Sequence, residues 1–215
     1  MTASTNNFNW VAPAYDALAW VVFGRSLKRA QVVFLDRIPS GASILIVGGG
    51  PGWLLEPLLA SRPPGRIVYL EASANMLARA SRRMLKRQLL GTVEFRLGDE
   101  TSLRPDDFDV IITPFVLDLF TDEALQTRLL PRLHNALKPG GLWFVTDFVP
   151  ATGYGQKMLL QAMIWFFRLT ANIETRQLAD WQRIMAEMGL KLSKRSSQVG
   201  GMVSAEVWIR TTKNL

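Results

Sequence analysis

The stretch "ILIVGGGPGW", Ile44 to Trp53, decides how the chain is read: a short apolar run breaks off into four glycines and a proline. Glycine directly after a strand costs conformational entropy. Something must therefore need the backbone bare at that point, and a ligand lying against the main chain is the reading this stretch suggests. The run before it, "SILIVGG" over 43–49, is continuously apolar, the pattern of a strand buried on both faces of a parallel sheet.

Working outward, strands and helices alternate. "GWLLEPLLASR" reads as a helix that Pro57 either opens, within its first turn, or kinks, and "RIVYLEAS" (66–73) as a second strand. "SANMLARASRRMLKRQLL" is an amphipathic helix with Ser73 as N-cap. "VEFRLGD" (93–99) and "FDVIITPF" (108–115) are the third and fourth strands. A helix opened by Thr121 carries Leu125, Leu129, Leu133 and Leu137 on one side and stops at Pro139-Gly140-Gly141. "LWFVTDFV" (142–149) is the fifth strand. Such alternation makes βαβ units, hence a parallel sheet with helices on both faces. Further on, "MLLQAMIWFF" is apolar all round, and "RQLADWQRIMAEMG" sets Leu178, Trp181, Met185 and Met188 on one face, with Gly189 as stop. "LKLSKRSSQ" and "MVSAEVWIR" read as two closing strands joined at Gly200-Gly201. Before the sheet, residues 8–38 read as helical, with an aromatic cluster of Phe8, Trp10, Tyr15 and Trp20.

Composition bounds the function. With 215 residues, 48% hydrophobic and 20% charged, the chain is globular and long enough for one stable core. It has no cysteine, which excludes disulfides, cysteine–zinc sites and a cysteine nucleophile, and fits a cytoplasmic setting. The first ten residues do not read as a signal peptide, and the apolar stretches are too short to span a bilayer. The net charge is +7. Much of it sits in "RASRRMLKR", where Arg79, Arg82, Arg83, Lys86 and Arg87 lie opposite Leu77, Ala80 and Met84. That face is either simply solvated or a peripheral docking surface for phosphates or anionic lipid.

In open α/β sheets, ligands sit beyond the carboxyl ends of the strands, so the glycine turn lines the crevice. A dinucleotide fingerprint, G-x-G-x-x-G/A, needs a small third residue, and counting from Gly48 that position is Trp53. The turn is G-x-G-x-G, and no Lys-Ser/Thr pair follows to make a phosphate-cradling loop. Glu71 ends the second strand 23 positions after Gly48, where a carboxylate can accept from both ribose hydroxyls of an adenosine-type ligand.

At this point the residues resemble the class I S-adenosylmethionine-dependent methyltransferases. "ILIVGGGPG" resembles that family's first motif, Glu71 its ribose acid, "RLGDE" its adenine-edge motif, "FDVIITPF" its fourth-strand motif and "LKPGGLWFV" its approach to strand five. The opening "FNWVAPAYDALAWVVFG" is similar to the N-terminus of the ubiquinone/menaquinone-biosynthesis methyltransferases. Where the family often places an acid in strand one, this chain is apolar (Ile46, Val47). The resemblance implies one Rossmann-like, doubly wound α/β domain over 1–215, with a mostly parallel seven-stranded sheet whose last strand is antiparallel. Residues 1–40 would be a helical lid, 41–150 the cofactor-binding core and 151–215 the substrate side.

It also implies S-adenosyl-L-methionine as cofactor and no metal. Gly48, Gly49, Gly50 and Gly52 would bend around its methionine part, Glu71 and Ala72 would lie at the ribose, Met76 would pack on the adenine, and Asp99 with Glu100 would lie at the adenine edge. Thr113, through its backbone, and Phe115 would lie near the amino group. Methyl transfer needs in-line geometry and exclusion of water more than a strong base, so no catalytic residue is singled out. Asp118 and Asp147, near the strand ends, are candidates for substrate contact, as are Tyr15 from the lid and Trp165 and Phe166 from the apolar 158–167 segment. The sole histidine, His134, lies beside the leucine stripe and reads as a bystander. The acceptor reads as a small lipophilic molecule; nucleic acid is disfavoured because the fourth-strand signature of nucleic-acid amine methylation is absent from "ITPFVLD". A non-catalytic cofactor-binding protein or partner subunit is the alternative, and a nicotinamide oxidoreductase a remote third.

Overall fold

The computed structural model describes residues 25–61, 64–88, 93–150, 153 and 178–211. Its centre is a seven-stranded sheet formed by β1 (Ser43–Val47), β2 (Arg66–Glu71), β3 (Val93–Leu97), β4 (Phe108–Pro114), β5 (Leu137–Phe148), β6 (Leu190–Gln198) and β7 (Val203–Arg210). The spatial order is β3-β2-β1-β4-β5-β7-β6. The first five strands are parallel, and β7 runs antiparallel between β5 and β6. The reversal of order falls between β1 and β4, the place where such sheets open a crevice beyond the strand ends.

The continuous apolar runs are explained by burial on both faces. Along β1, Ile44 and Ile46 belong to one core cluster and Leu45 and Val47 to the other. The first cluster is covered by α2 (Leu55–Ser61) and α3 (Ala74–Lys86) through Leu55, Leu58, Ala80 and Met84. The second is covered by α4 (Asp122–Ala136) and α5 (Trp181–Glu187) through Leu125, Leu129, Leu133, Trp181 and Met185. The leucine stripe is accordingly buried along its whole length. Each buried indole N–H has an acceptor, as amphipathic aromatics require: Trp143 donates to Thr113 Oγ1 at 3.1 Å, and Trp181 to the Phe148 carbonyl at 3.0 Å.

The helix starts follow their caps. Ser73 accepts from the Met76 N–H and Thr121 from the Ala124 N–H. Pro57 is the third residue of α2, inside its first turn, where no N–H is needed. The helix–strand passage around Pro139 differs from the sequence expectation. Strand β5 begins at Leu137, not 142: Leu137 pairs with Phe108, the register slips, and Leu142 pairs with Val110. Gly140 at φ +77° lets the strand bulge across Pro139-Gly140-Gly141 instead of stopping there. Within α4, residues Leu125–Leu129 form a π turn, because Pro131 has no N–H and the helix widens just before it. A short α1 (Ser26–Val32) precedes the sheet. Among the described residues, no helix is long and apolar enough to cross a membrane.

Candidate functional site

The site is built at the carboxyl ends of β1, β2, β4 and β5. Gly48, Gly50 and Gly52 all have positive φ, at +65°, +60° and +78°, which only glycine adopts freely. They are bare for different reasons. A Cβ on Gly48 would lie 2.7 Å from Val116 Cγ2, one on Gly49 2.5 Å from the Tyr69 hydroxyl, and one on Gly52 2.7 Å from Ala80 Cβ. At Gly50 a Cβ would meet nothing within 4 Å. Three of the four glycines are thus demanded by the protein's own packing, and Gly50 alone of the four turns its bare Cα toward open space.

Glu71 is tied to this turn. It is buried, and its Oε2 accepts from the Gly50 N–H at 3.1 Å and its Oε1 from the Ser73 N–H at 2.9 Å. Burial raises its pKa against the pull of those N–H donors. Tyr69, two residues earlier and on the same face of β2, donates its hydroxyl to the Gly50 carbonyl at 2.9 Å. Arg83 of α3 donates Nε to the Pro51 carbonyl at 3.2 Å and Nη1 to Glu56 at 3.0 Å. Arg87 also pairs with Glu56, so two of the five cations of the basic helix are turned to α2 and the glycine turn. Tyr69 and Val116 did not stand out in the sequence, and Arg83 stood there only as one cation of the basic face. The signal for Tyr69 was its two-residue spacing from Glu71 on a strand.

The remaining expected residues spread around this centre. Met76 is buried on the inner face of α3 and Ala72 is exposed. Asp99 follows β3; its Oδ1 accepts from the Thr101 N–H at 3.0 Å and hydroxyl at 2.6 Å, which holds its carboxyl below the ordinary range. Glu100 is buried and paired with Arg128 of α4 at 2.9 Å. The Thr113 side chain lies within the sheet, accepting from Trp143. Phe115 has φ +55°, a strained conformation for a bulky residue, and its ring packs 5.4 Å from that of Phe148. His134 lies at the end of α4, where the chain enters the amino end of β5, opposite the crevice; burial lowers its pKa. Tyr15, Trp165 and Phe166 lie outside the described residues.

Asp118 and Asp147 come together. Asp147, fully buried at the end of β5, accepts from the N–H groups of Val116 (3.1 Å), Leu117 (2.8 Å) and Phe148 (2.8 Å). The carboxyl of Asp118 lies beside that of Asp147, with its Oδ1 buried and without a hydrogen-bond partner among the described residues, and burial pushes both up, Asp118 to about 6. Among the described residues, no cluster of His, Asp or Glu is arranged to hold a metal ion.

Comparison with known proteins places this geometry. A methyltransferase domain family matches residues 44–141, from β1 into the bulge of β5. The ubiquinone/menaquinone biosynthesis C-methyltransferase UbiE of Pseudomonas putida strain GB-1 is 30% identical over 84% of this chain and 71% of its own length. The chain belongs to the class I S-adenosylmethionine-dependent methyltransferases. Trans-aconitate 2-methyltransferase of Methylobacterium nodulans is 35% identical over 59% of this chain and 47% of its own length, so the chain spans about half of this relative and about seven-tenths of the other. Among solved structures, mitomycin 7-O-methyltransferase MmcR superposes with a TM-score of 0.72 at 20% identity, over 97% of this chain and 62% of that one. This likeness concerns the fold: seven strands with β7 reversed, as the resemblance implied.

Proposed function

We propose that this chain binds S-adenosyl-L-methionine against the glycine turn and transfers its methyl group to a small, uncharged, lipophilic acceptor. The observation that carries this is the open Cα face of Gly50 at the sheet's switch point, flanked by the buried Glu71 carboxylate. The residues fit the cofactor. Gly50 leaves room for close approach, Glu71 accepts the Gly50 N–H at Oε2 and the Ser73 N–H at Oε1 with lone pairs left for the ribose hydroxyls, and Asp99 keeps its Oδ2 beside β3. When bound, the cofactor supplies an electrophilic methyl on a positively charged sulfur. The chain's part is to hold the acceptor in line and keep water out.

The relatives' names point to small-molecule acceptors, trans-aconitate in one and a ubiquinone/menaquinone-pathway compound in the other. The acid pair Asp118–Asp147 discriminates between these kinds of acceptor. Above about pH 6, where Asp118 is ionised, the pair would disfavour a polyanion and tolerate a hydroxyl or an apolar ring. The exposed cations of α3 leave a peripheral contact with anionic lipid, from which such an acceptor would be drawn, within this reading.

Calorimetry with S-adenosylhomocysteine and with NADH tests the cofactor. Micromolar binding of the first and little of the second is expected, because Trp53 stands where a dinucleotide turn needs a small residue; tighter NADH binding would overturn the reading. Glu71→Ala should weaken S-adenosylhomocysteine by about 2 kcal/mol, roughly thirtyfold, through loss of charge-assisted bonds to the ribose. Unchanged affinity would remove Glu71 from the site. For transfer, mass spectrometry should detect methyl gain on quinone-type phenols and none on trans-aconitate, and the reverse pattern would defeat the lipophilic acceptor.

A further inference from the structure

The bare surface at Gly50 is useful only if the turn keeps its shape. A chain through four glycines has more freedom to lose than any other. Three side chains from two elements hold it at consecutive backbone groups. Glu71 takes the Gly50 N–H, Tyr69 donates to the Gly50 carbonyl, and Arg83 donates to the Pro51 carbonyl. The Tyr69 hydroxyl is reached only because Gly49, which a Cβ would bring to 2.5 Å from it, has none. Arg83 is braced in turn by Glu56.

We propose that Tyr69 is the positioning residue of the cofactor site, anchoring the Gly50–Pro51 peptide so that the turn holds its binding shape while Glu71 is shared with the ligand. The proposal rests on the cofactor reading above. Glu71 has two duties: in this structure it satisfies Gly50, and in the complex it also receives the ribose. A carboxylate pulled toward a ligand loosens its grip on the Gly50 N–H. The Tyr69 bond fixes the other side of the same residue and lies inside the core, with Tyr69 fully buried and its ring 5.6 Å from Phe95. It stays in place whatever Glu71 does. Arg83 serves as the outer brace, at the exposed edge, and its loss should matter less.

Tyr69→Phe keeps the ring and its packing and removes only the anchoring hydroxyl. Its S-adenosylhomocysteine affinity should fall five- to tenfold by calorimetry, while turnover at saturating cofactor stays near wild type. Combined with Glu71→Gln the loss should exceed the product of the two single losses, because each group backs up the other. A packing role alone would lower thermal stability and leave both cofactor affinity and this coupling unmoved. Hydrogen exchange of the amides in residues 48–53, measured without ligand, gives a readout independent of binding: Tyr69→Phe should speed it at Gly50 and Gly52. Wild-type affinity in Tyr69→Phe, or unchanged exchange, overturns the proposal. If the wild-type chain binds no S-adenosylhomocysteine, the cofactor reading falls, and the exchange experiment still decides whether Tyr69 anchors the turn.

Discussion

Gly52→Ala is expected to lower the thermal midpoint by about 10 °C and to abolish cofactor binding, whereas Gly50→Ala should leave the fold nearly intact and still abolish binding. Both residues have positive φ, so both substitutions carry a backbone cost of roughly 1–2 kcal/mol. At Gly52 the new methyl would also sit 2.7 Å from Ala80 Cβ and 2.9 Å from Ala80 Cα. The Cα belongs to the backbone of α3 and cannot swing aside, so overpacking adds about 1–3 kcal/mol. For a chain of this length each kcal/mol is worth about 2–4 °C. At Gly50 a Cβ meets open space, and only the backbone cost applies. There the methyl intrudes where the cofactor would lie. Thermal denaturation and calorimetry on both variants check this. If Gly50→Ala binds S-adenosylhomocysteine as wild type does, the ligand does not lie on that face; a Gly52→Ala midpoint within 2 °C of wild type, as small as the backbone cost alone at its lower limit, would refute the packing argument.

This contrast also marks how far the sequence could be read. The central strands were legible because β1, β2, β4 and β5 carry apolar runs of the right length, and their order followed from the family motifs. The glycine turn and Glu71 were legible because their spacing is local to one βαβ unit. What each glycine faces was not legible, since its neighbour comes from elsewhere in the chain: Val116 after β4 for Gly48, Ala80 of α3 for Gly52. Arg83 shows the same gap. Periodicity set it among the cations of a solvated face, yet it lies on the flank of α3, where a long side chain reaches the Pro51 carbonyl. The start of β5 was missed because Lys-Pro-Gly-Gly is a stop signal in helix grammar, while β4 supplies Phe108 as a pairing partner for Leu137. Asp118 and Asp147 were each placed near the strand ends. Their contact follows from the β4–β5 register, which pairs Pro114 with Thr146 and so sets Asp147 beside the turn that follows β4.

That contact has a consequence in pH. Asp147 is fully buried with three backbone N–H donors, and Asp118 is its neighbour. Among the described residues, the groups acting on the pair are each other and the backbone; Glu206, the buried acid of β7, is engaged by Arg195, Ser204 and Trp208. Both carboxyls have folded pKa values above the unfolded value of about 4. The folded state therefore binds more protons than the unfolded state over that window. The sign follows from linkage: stability from the protonated pair is fully present below about pH 4 and is lost as pH rises through about 6 and beyond. Asp118→Asn removes one of the two charges and offers Asp147 an amide N–H. At pH 8 the variant should melt about 2–12 °C above wild type, from roughly 1–3 kcal/mol, and at pH 4.5 the two should nearly coincide. Taking the difference between variant and wild type at each pH cancels the other carboxylates. A difference that is flat from pH 4.5 to 8, or negative at pH 8, would show that the pair is not strained. A stabilising substitution at a position the chain nonetheless fills with aspartate argues for a function there. If the pair contacts the acceptor, as the proposed function has it, Asp118→Asn should keep S-adenosylhomocysteine affinity while losing most methyl transfer; transfer at the wild-type rate would remove Asp118 from the acceptor's site.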